Sequence, residues 1–290
     1  MDVQVGWNDI ERAMPSFRRV NGGLSDAKRG IVKLPNGASY FVKIGMDERT
    51  RRWAQDEIRA YHWLNSSGYG YAPHIVAESE DGFALPDLSS WDWEHRWHAD
   101  KLDAALRALD SLAKLSTNSG TISQSGYRDV GNPWRLLPES SEVYAEFIDS
   151  ESLGSIEALL AVKERYASHL EAGNSEPWRG YDLVHYDARA DNFAYDHESN
   201  HGCFVDWNWL SLGSTAFDRT ALLVNVELSG FDVLKKYGHH IDIDSLVWQA
   251  GFWLWRATGP RDTPDRKLLR PKQVANALQA YLLLHRVRAL

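Results

Sequence analysis

One segment constrains this chain more than any other: Leu183-Val184-His185-Tyr186-Asp187-Ala188-Arg189-Ala190-Asp191-Asn192. An apolar strand runs into a carboxylate, and a polar turn closes on an asparagine. Fourteen residues after Asn192 a second apolar run, Cys203-Phe204-Val205, delivers Asp206 and then Trp207. The runs 192–195 and 203–205, joined by polar residues 196–202, predict a hairpin. Taken singly, Asp187, Asn192 and Asp206 read as turn or capping residues. Taken together they offer a proton acceptor for a hydroxyl at Asp187 and two oxygen donors, Asn192 and Asp206, of the kind hard Mg²⁺ takes. Arg189 is a cation two residues past Asp187, able to meet a phosphoryl group or to pair with Asp191. Positioning, a divalent metal and positive charge are what phosphoryl transfer asks of a protein.

The rest of the chain divides in two. Residues 16–20, 31–34, 40–44, 76–78 and 82–85 read as strands, with Pro35-Asn36-Gly37 as a hairpin turn and one helix over 48–65. From Ser89 onward the pattern is helical: Leu102, Leu106, Leu109 and Leu112 mark one helix. Others are expected at 151–171, 215–229, 243–257 and 271–288, the last with Pro271 as its first residue. The predicted boundary lies near Pro86–Ser90, giving lobes 1–88 and 89–290. Residues 1–88 carry 12 acids and 11 bases, and residues 89–290 carry 28 acids and 21 bases, so the acidity belongs to the second lobe.

The pattern His-x-Asp-x-x-x-x-Asn, followed by an apolar strand ending in Asp-Trp, resembles the protein-kinase-like phosphotransferases. The nearer resemblance is to the aminoglycoside phosphotransferase and choline kinase branch, in the variety common in actinobacteria, with Gly213 and Asp218 in places comparable to a further Gly and Asp of that family. The resemblance covers roughly residues 16–290. It implies an α+β, two-lobed protein-kinase-like fold: a small antiparallel N-terminal sheet with one helix, and a larger, mostly helical C-terminal lobe. It implies ATP as donor, with GTP left open, and Mg²⁺ on Asn192 and Asp206. It implies that Lys43 reaches the α- and β-phosphates, that Glu57 holds Lys43, and that Gly22, Gly23 and Ser25 lie in a phosphate-covering turn. It also implies a hinge over Phe83–Leu88, with Leu85 and Asp87 beside the adenine, where Pro86 has no N–H to give. Asp187 is then the catalytic residue, with Arg189 at the γ-phosphate. Two departures stand out. Tyr186 occupies a position commonly Gly, and the usual Asp-Pro is missing between Gly213 and Asp218.

Simpler roles compete at several positions. Lys43 alone would be a snorkelling strand lysine. His185 reads as structural, bonding backbone near the metal loop, and Asp218 as a brace for that loop. A metal hydrolase using His185, Asp187 and Asp206 would need more histidines, and the His239-His240 pair reads as a solvated loop. Among 13 tryptophans, Trp248 and Trp255 read as core, while Trp91 and Trp93 are placed to line a cleft.

A net charge of -8 argues against a general nucleic-acid binder and suits a neutral or cationic small molecule. A single cysteine, Cys203, excludes an internal disulfide and points to a reducing compartment, the cytoplasm. The N-terminal residues show no signal-peptide pattern, and no run of about 18 apolar residues suggests a membrane span. The expected activity is transfer of a γ-phosphate to a hydroxyl of a small molecule, first an aminoglycoside or related antibiotic, with resistance as the role. A metabolic kinase of choline, a sugar or an amino sugar is the alternative, and a nucleotide-binding pseudokinase a further one. No activation segment ending in Ala-Pro-Glu is present, so a protein kinase is not expected. A monomer is the default.

Overall fold

The computed structural model describes residues 5–20, 26–93, 96–115, 130–259 and 264–288. Gly22, Gly23 and Ser25 therefore lie outside the described residues. Five strands form one antiparallel sheet, in the order β1-β2-β3-β5-β4: β1 (Arg18–Arg19), β2 (Lys28–Lys33), β3 (Ser39–Ile44), β4 (Ala77–Glu78) and β5 (Gly82–Pro86). The Pro35-Asn36-Gly37 turn joins β2 to β3, and Gly37 takes φ +91°, a conformation cheap only for glycine.

Side chains alternate across this sheet, as strand geometry demands. Val32, Val42 and Ala84 face a small core with Ile10 and Ala13 of helix α1 (Trp7–Ala13). Phe41, Phe83 and Leu85 face the other way, into the main core with helix α2 (Glu48–Ser66). Lys43 lies two positions after Phe41 and opposite Phe83 in the ladder, so the alternation turns it toward α2. Asp47 caps α2 by accepting from the Thr50 N–H at 2.7 Å. The buried face of α2 runs through Ala54, Ile58, Tyr61 and Leu64, and Glu57 sits on it.

The remainder is mostly helical. It comprises α3 (Ala99–Ala113), α4 (Ser150–Leu160), α5 (Lys163–Ala172), α6 (Thr215–Leu228), the short α7 (Leu234–Tyr237), α8 (Ile243–Arg256) and α9 (Pro264–Arg288). Two small ribbons are set among them, β6 (Asp182–Val184) with β9 (Ser211–Gly213), and β7 (Phe193–Asp196) with β8 (His201–Phe204). Two boundaries differ from the sequence expectation. The stretch 151–171 is two helices, broken at Ala161–Val162. The last helix starts at Pro264 and carries Pro271 inside it, so Pro264 takes the first-residue role assigned to Pro271.

Three of the buried tryptophans find partners for their N–H groups. Trp134 donates to Val247 O at 2.8 Å, Trp207 to Phe204 O at 2.8 Å and Trp248 to Gly131 O at 3.0 Å. Among the described residues, no helix is long and apolar enough to cross a membrane.

Candidate active site

The two parts of the chain meet at Lys43. Its buried Nζ lies 2.5 Å from Glu57 Oε2 and 2.7 Å from Asp206 Oδ1, a residue 163 positions away. Burial opposes the charge on Lys43, but the two carboxylates outweigh it and raise its pKa. Burial likewise pushes Glu57 up, to about 7 even with Lys43 beside it. Asp206 is only partly buried; desolvation there would raise it, yet Lys43, by charge and hydrogen bond, with Arg29 and Arg189 at longer range, brings it down to about 2. Asp206 is thus a fixed anion. Its φ of +66° is uncommon for any residue other than glycine, and it turns the chain sharply between β8 and Trp207.

The loop after β6 is held by its own backbone groups. His185 and Tyr186 give their N–H groups to the Asp218 carboxylate, at 2.6 and 2.9 Å. Asp218 lies in the first turn of α6 and is 1% exposed. Burial raises it to about 7 despite those two donors. The His185 ring spans the two halves of the loop: Asp187 N–H donates to Nδ1 (3.2 Å), and Nε2 meets Val205 O (3.0 Å). That network assigns a neutral ring with its proton on Nε2, and burial keeps His185 low, at about 4. Both ring nitrogens are occupied, which removes His185 as a metal ligand and with it the metal-hydrolase reading.

Asn192 donates its side-chain N–H to Asp187 twice, to the backbone oxygen at 2.9 Å and to Oδ2 at 3.0 Å. Its amide nitrogen is spent on Asp187, so its oxygen is the atom left to offer a hard cation. Asp187 itself is raised to about 6, first by burial, with Asp206 and Asp191 adding to the rise and Arg189 opposing it. Arg189 Nε lies 3.0 Å from Asp187 Oδ1 and 3.4 Å from Asp191 Oδ1. Arg189 thus makes the Asp191 pairing open to it in the sequence and pairs with Asp187 as well.

The first of the two departures, Tyr186, packs against Gly213. Tyr186 has φ +57°, in the left-handed region where glycine is at ease and a bulky residue is strained. Its hydroxyl bonds Trp178 O, and its ring fills the space where a side chain at Gly213 would stand. Where the hinge was expected, Leu85 is buried opposite Phe41, and Asp87 Oδ1 accepts from Ser89 N–H at 2.9 Å. Trp93 closes this linker by donating to Leu88 O (2.7 Å), and Asp92 pairs with Tyr195 of β7 through both backbone groups. The structure brings Lys43, Glu57 and Asp206 together, and Asp187 with Arg189 and Asn192. It keeps Leu85 and Asp87 at the linker.

Two residues escaped the sequence reading. Arg29 faces Lys43 in the β2–β3 register, and its charge lowers both Glu57 and Asp206. The turn at Pro35-Asn36-Gly37 fixes that register, so counting outward from it would have found Arg29. Asn225, on α6, accepts from Ala190 N–H of the loop at 3.2 Å and donates to Asn276 Oδ1 of α9 at 2.9 Å. No local signal marks it.

The profile of the phosphotransferase enzyme family matches residues 16–240. The chain belongs to that family. Its enzyme class is thereby a phosphotransferase, in line with the small-molecule kinase expected from the sequence. No curated protein matches the sequence. Solved structures share the fold at low identity. An aminoglycoside phosphotransferase from Alicyclobacillus acidocaldarius is 12% identical, with a TM-score of 0.62, covering 100% of this chain and 97% of that one. The choline kinase LicA from Streptococcus pneumoniae is 15% identical with a TM-score of 0.54, covering 92% and 96%. An ADP-bound aminoglycoside phosphotransferase, APH(2'')-Ib, is 16% identical with a TM-score of 0.53, covering 97% and 98%.

Proposed function

We propose that this chain transfers the γ-phosphoryl group of ATP to a hydroxyl of a small molecule that carries positive charge. The observation that carries the reading is the meeting of Lys43, Glu57 and Asp206 beside a loop in which Asn192 orients Asp187. Residues 1–88 would hold the nucleotide, with Leu85 and Asp87 along the adenine side and the 22–25 turn over the phosphates. Residues 89–290 would supply the catalytic loop and the acceptor pocket. The ADP-bound relative supports an adenine nucleotide as donor.

Lys43 would exchange its contact with Asp206 for the α- and β-phosphates, while Glu57 keeps its ammonium in place. Asn192 and Asp206 fit a Mg²⁺ site, since one offers an amide oxygen and the other a carboxylate that burial has failed to neutralise. When bound there, Mg²⁺ would neutralise charge between the β- and γ-phosphates. Asp187 would accept the acceptor hydroxyl's proton on its carboxylate, an assignment suited to a group titrating at about 6. Arg189 would shift from Asp187 toward the transferring group.

Retention of all these groups in contact speaks against a pseudokinase. An aminoglycoside-like acceptor, with a role in resistance, agrees with the acidic second lobe. The likeness to a choline kinase keeps a metabolic alcohol as the second reading. The need for ATP and the buried, reduced Cys203 agree with a cytoplasmic enzyme. The test is ADP release with Mg-ATP against a panel of aminoglycosides, choline and amino sugars. Turnover lost in Asp187→Ala supports the reading. Absence of any Mg-ATP-dependent rise in Tm overturns it.

A further inference from the structure

Asp92 of the linker, His98 at the start of α3 and His197 in the turn between β7 and β8 each bring one donor atom to within 4.8 Å of the other two. We propose that these three side chains form a site for a divalent transition metal, Zn²⁺ above all. His197 stands five residues beyond Asn192 along β7, roughly 16 Å of strand, so this site is separate from the Asn192–Asp206 pair. The proposal does not depend on the phosphotransferase reading.

The three ligands come from segments that the fold already holds together. Asp92 N–H donates to Tyr195 O at 2.7 Å, and Tyr195 N–H donates to Asp92 O at 3.1 Å, which fixes the linker against β7. The Asp92 carboxylate is held as well. Lys101, wholly buried, places Nζ 3.1 Å from Asp92 Oδ2 and 3.3 Å from Asp92 O. His197 Nε2 lies 3.4 Å from the same Oδ2. The rings of His98 and His197 are 19° from parallel with centroids 5.4 Å apart, and both set an edge against Tyr195. The His197 side chain is 63% exposed, so it is free to turn inward to the 2.0–2.1 Å that a Zn–N bond needs.

His98 supplies the second argument. Its Nε2 is buried and has no hydrogen-bond partner, which is rare for a buried polar atom. Its Nδ1 caps α3 by accepting from Lys101 N–H at 3.4 Å, a long contact. Ser, Thr, Asn or Asp would make a better cap, so capping does not account for an imidazole here. Ligation through Nε2 does account for it. The ring proton then moves to Nδ1, and the 3.4 Å bond is given up. Two imidazoles and one carboxylate are a zinc donor set, whereas Mg²⁺ and Ca²⁺ take oxygen. Three protein ligands leave the fourth position to water. Lys101 opposes the cation, so the ion is expected to exchange with solution. Bound there, it would tie the linker and α3 to the ribbon whose β7 follows Asn192 and whose β8 leads to Asp206.

Calorimetry on the full chain without an affinity tag tests this, with ZnCl₂ as titrant and excess Mg²⁺ present to fill oxygen-only sites. One Zn²⁺ should bind per chain. His98→Asn keeps a side chain able to cap α3, and His197→Gln changes an exposed position, so both variants should fold with the metal-free Tm of the wild type. Each should weaken Zn²⁺ binding at least about tenfold. Zn²⁺ should raise Tm in the wild type and in neither variant. Co²⁺ in place of Zn²⁺ should give the intense visible absorption of a four-coordinate ion. Absence of saturable Zn²⁺ binding overturns the proposal. So does undiminished binding in either variant, since other side chains would then hold the ion. A weak, six-coordinate Co²⁺ spectrum overturns it too, because oxygen donors would then be the ligands.

Discussion

In the sheet half of the site, side chains hold side chains: Lys43 and Glu57 meet between β3 and α2, and Lys43 reaches across to Asp206. In the helical half, side chains hold main chain. Asp218 takes two N–H groups, His185 bridges Asp187 to Val205, and Asn225 takes the Ala190 N–H. Ionic contacts can be traded for another charge, such as a phosphate, without moving the backbone. Contacts to the main chain set the path of the loop and cannot be traded. The first half is thus built to exchange partners, and the second to stay as it is.

Substitutions should separate the two kinds of contact. The largest effect on turnover belongs to Asp187→Asn, with a loss of kcat of about 10²–10⁴. Its Tm should hold, because the carboxylate it removes is one that burial already disfavours. Asp218→Asn should do the reverse. It deprives one of two buried N–H groups of an acceptor, and unfolding in urea should show a loss of about 1–3 kcal/mol. The sign with pH follows from its raised pKa. The folded chain holds a proton on Asp218 that the unfolded chain gives up, so its contribution falls as pH rises from about 4 to about 7. The variant should flatten that part of the stability profile.

Glu57→Gln tests whether the sheet half is exchangeable. KM for ATP should rise about tenfold, roughly the worth of one charge-assisted contact. Stability at pH 8 should be unchanged or higher, since Glu57 titrates at about 7 when folded and its charge is unfavourable above that. A smaller shift is expected in the pH profile. Turnover should rise with pH through about 6 as Asp187 loses its proton. Arg189→Gln removes a cation that favours the carboxylate, so the acid limb should move to higher pH. The smallest effect is that of Tyr186→Phe, which removes the bond to Trp178 O but keeps the ring over Gly213, for about 1 kcal/mol in urea unfolding.

Much of the site was legible because its parts are local. The segment 183–192 and the strand ending at Asp206 each carry their own strand and turn signals. Lys43 falls on the α2 face by alternation, and Glu57 interrupts an apolar helical stripe. The reading of His185 and Asp218 as braces matches their bonds to backbone. Other features were not legible. Helix α1 is a short amphipathic piece whose apolar residues have meaning only against the sheet. The break at Ala161–Val162 keeps helical-looking residues on both sides. The start of α9 depends on which of two prolines takes the first position. Arg29 needed a register, and Asn225 needed the packing of α6 between the loop and α9.

The sequence by itself determined which residues carry charge and oxygen donors, their order along the chain, and the face of strand or helix each occupies. Hydrophobic period and turn chemistry act over a few residues, so they can be read from a few residues. Only the tertiary structure decided that Lys43 meets an aspartate 163 positions away, that Asn225 joins the loop after β6 to α9, and that two solvent-facing leucines share a groove with Glu146 and Asp149. Those distances come from how separate elements pack on a common core, and no short stretch of sequence encodes that packing.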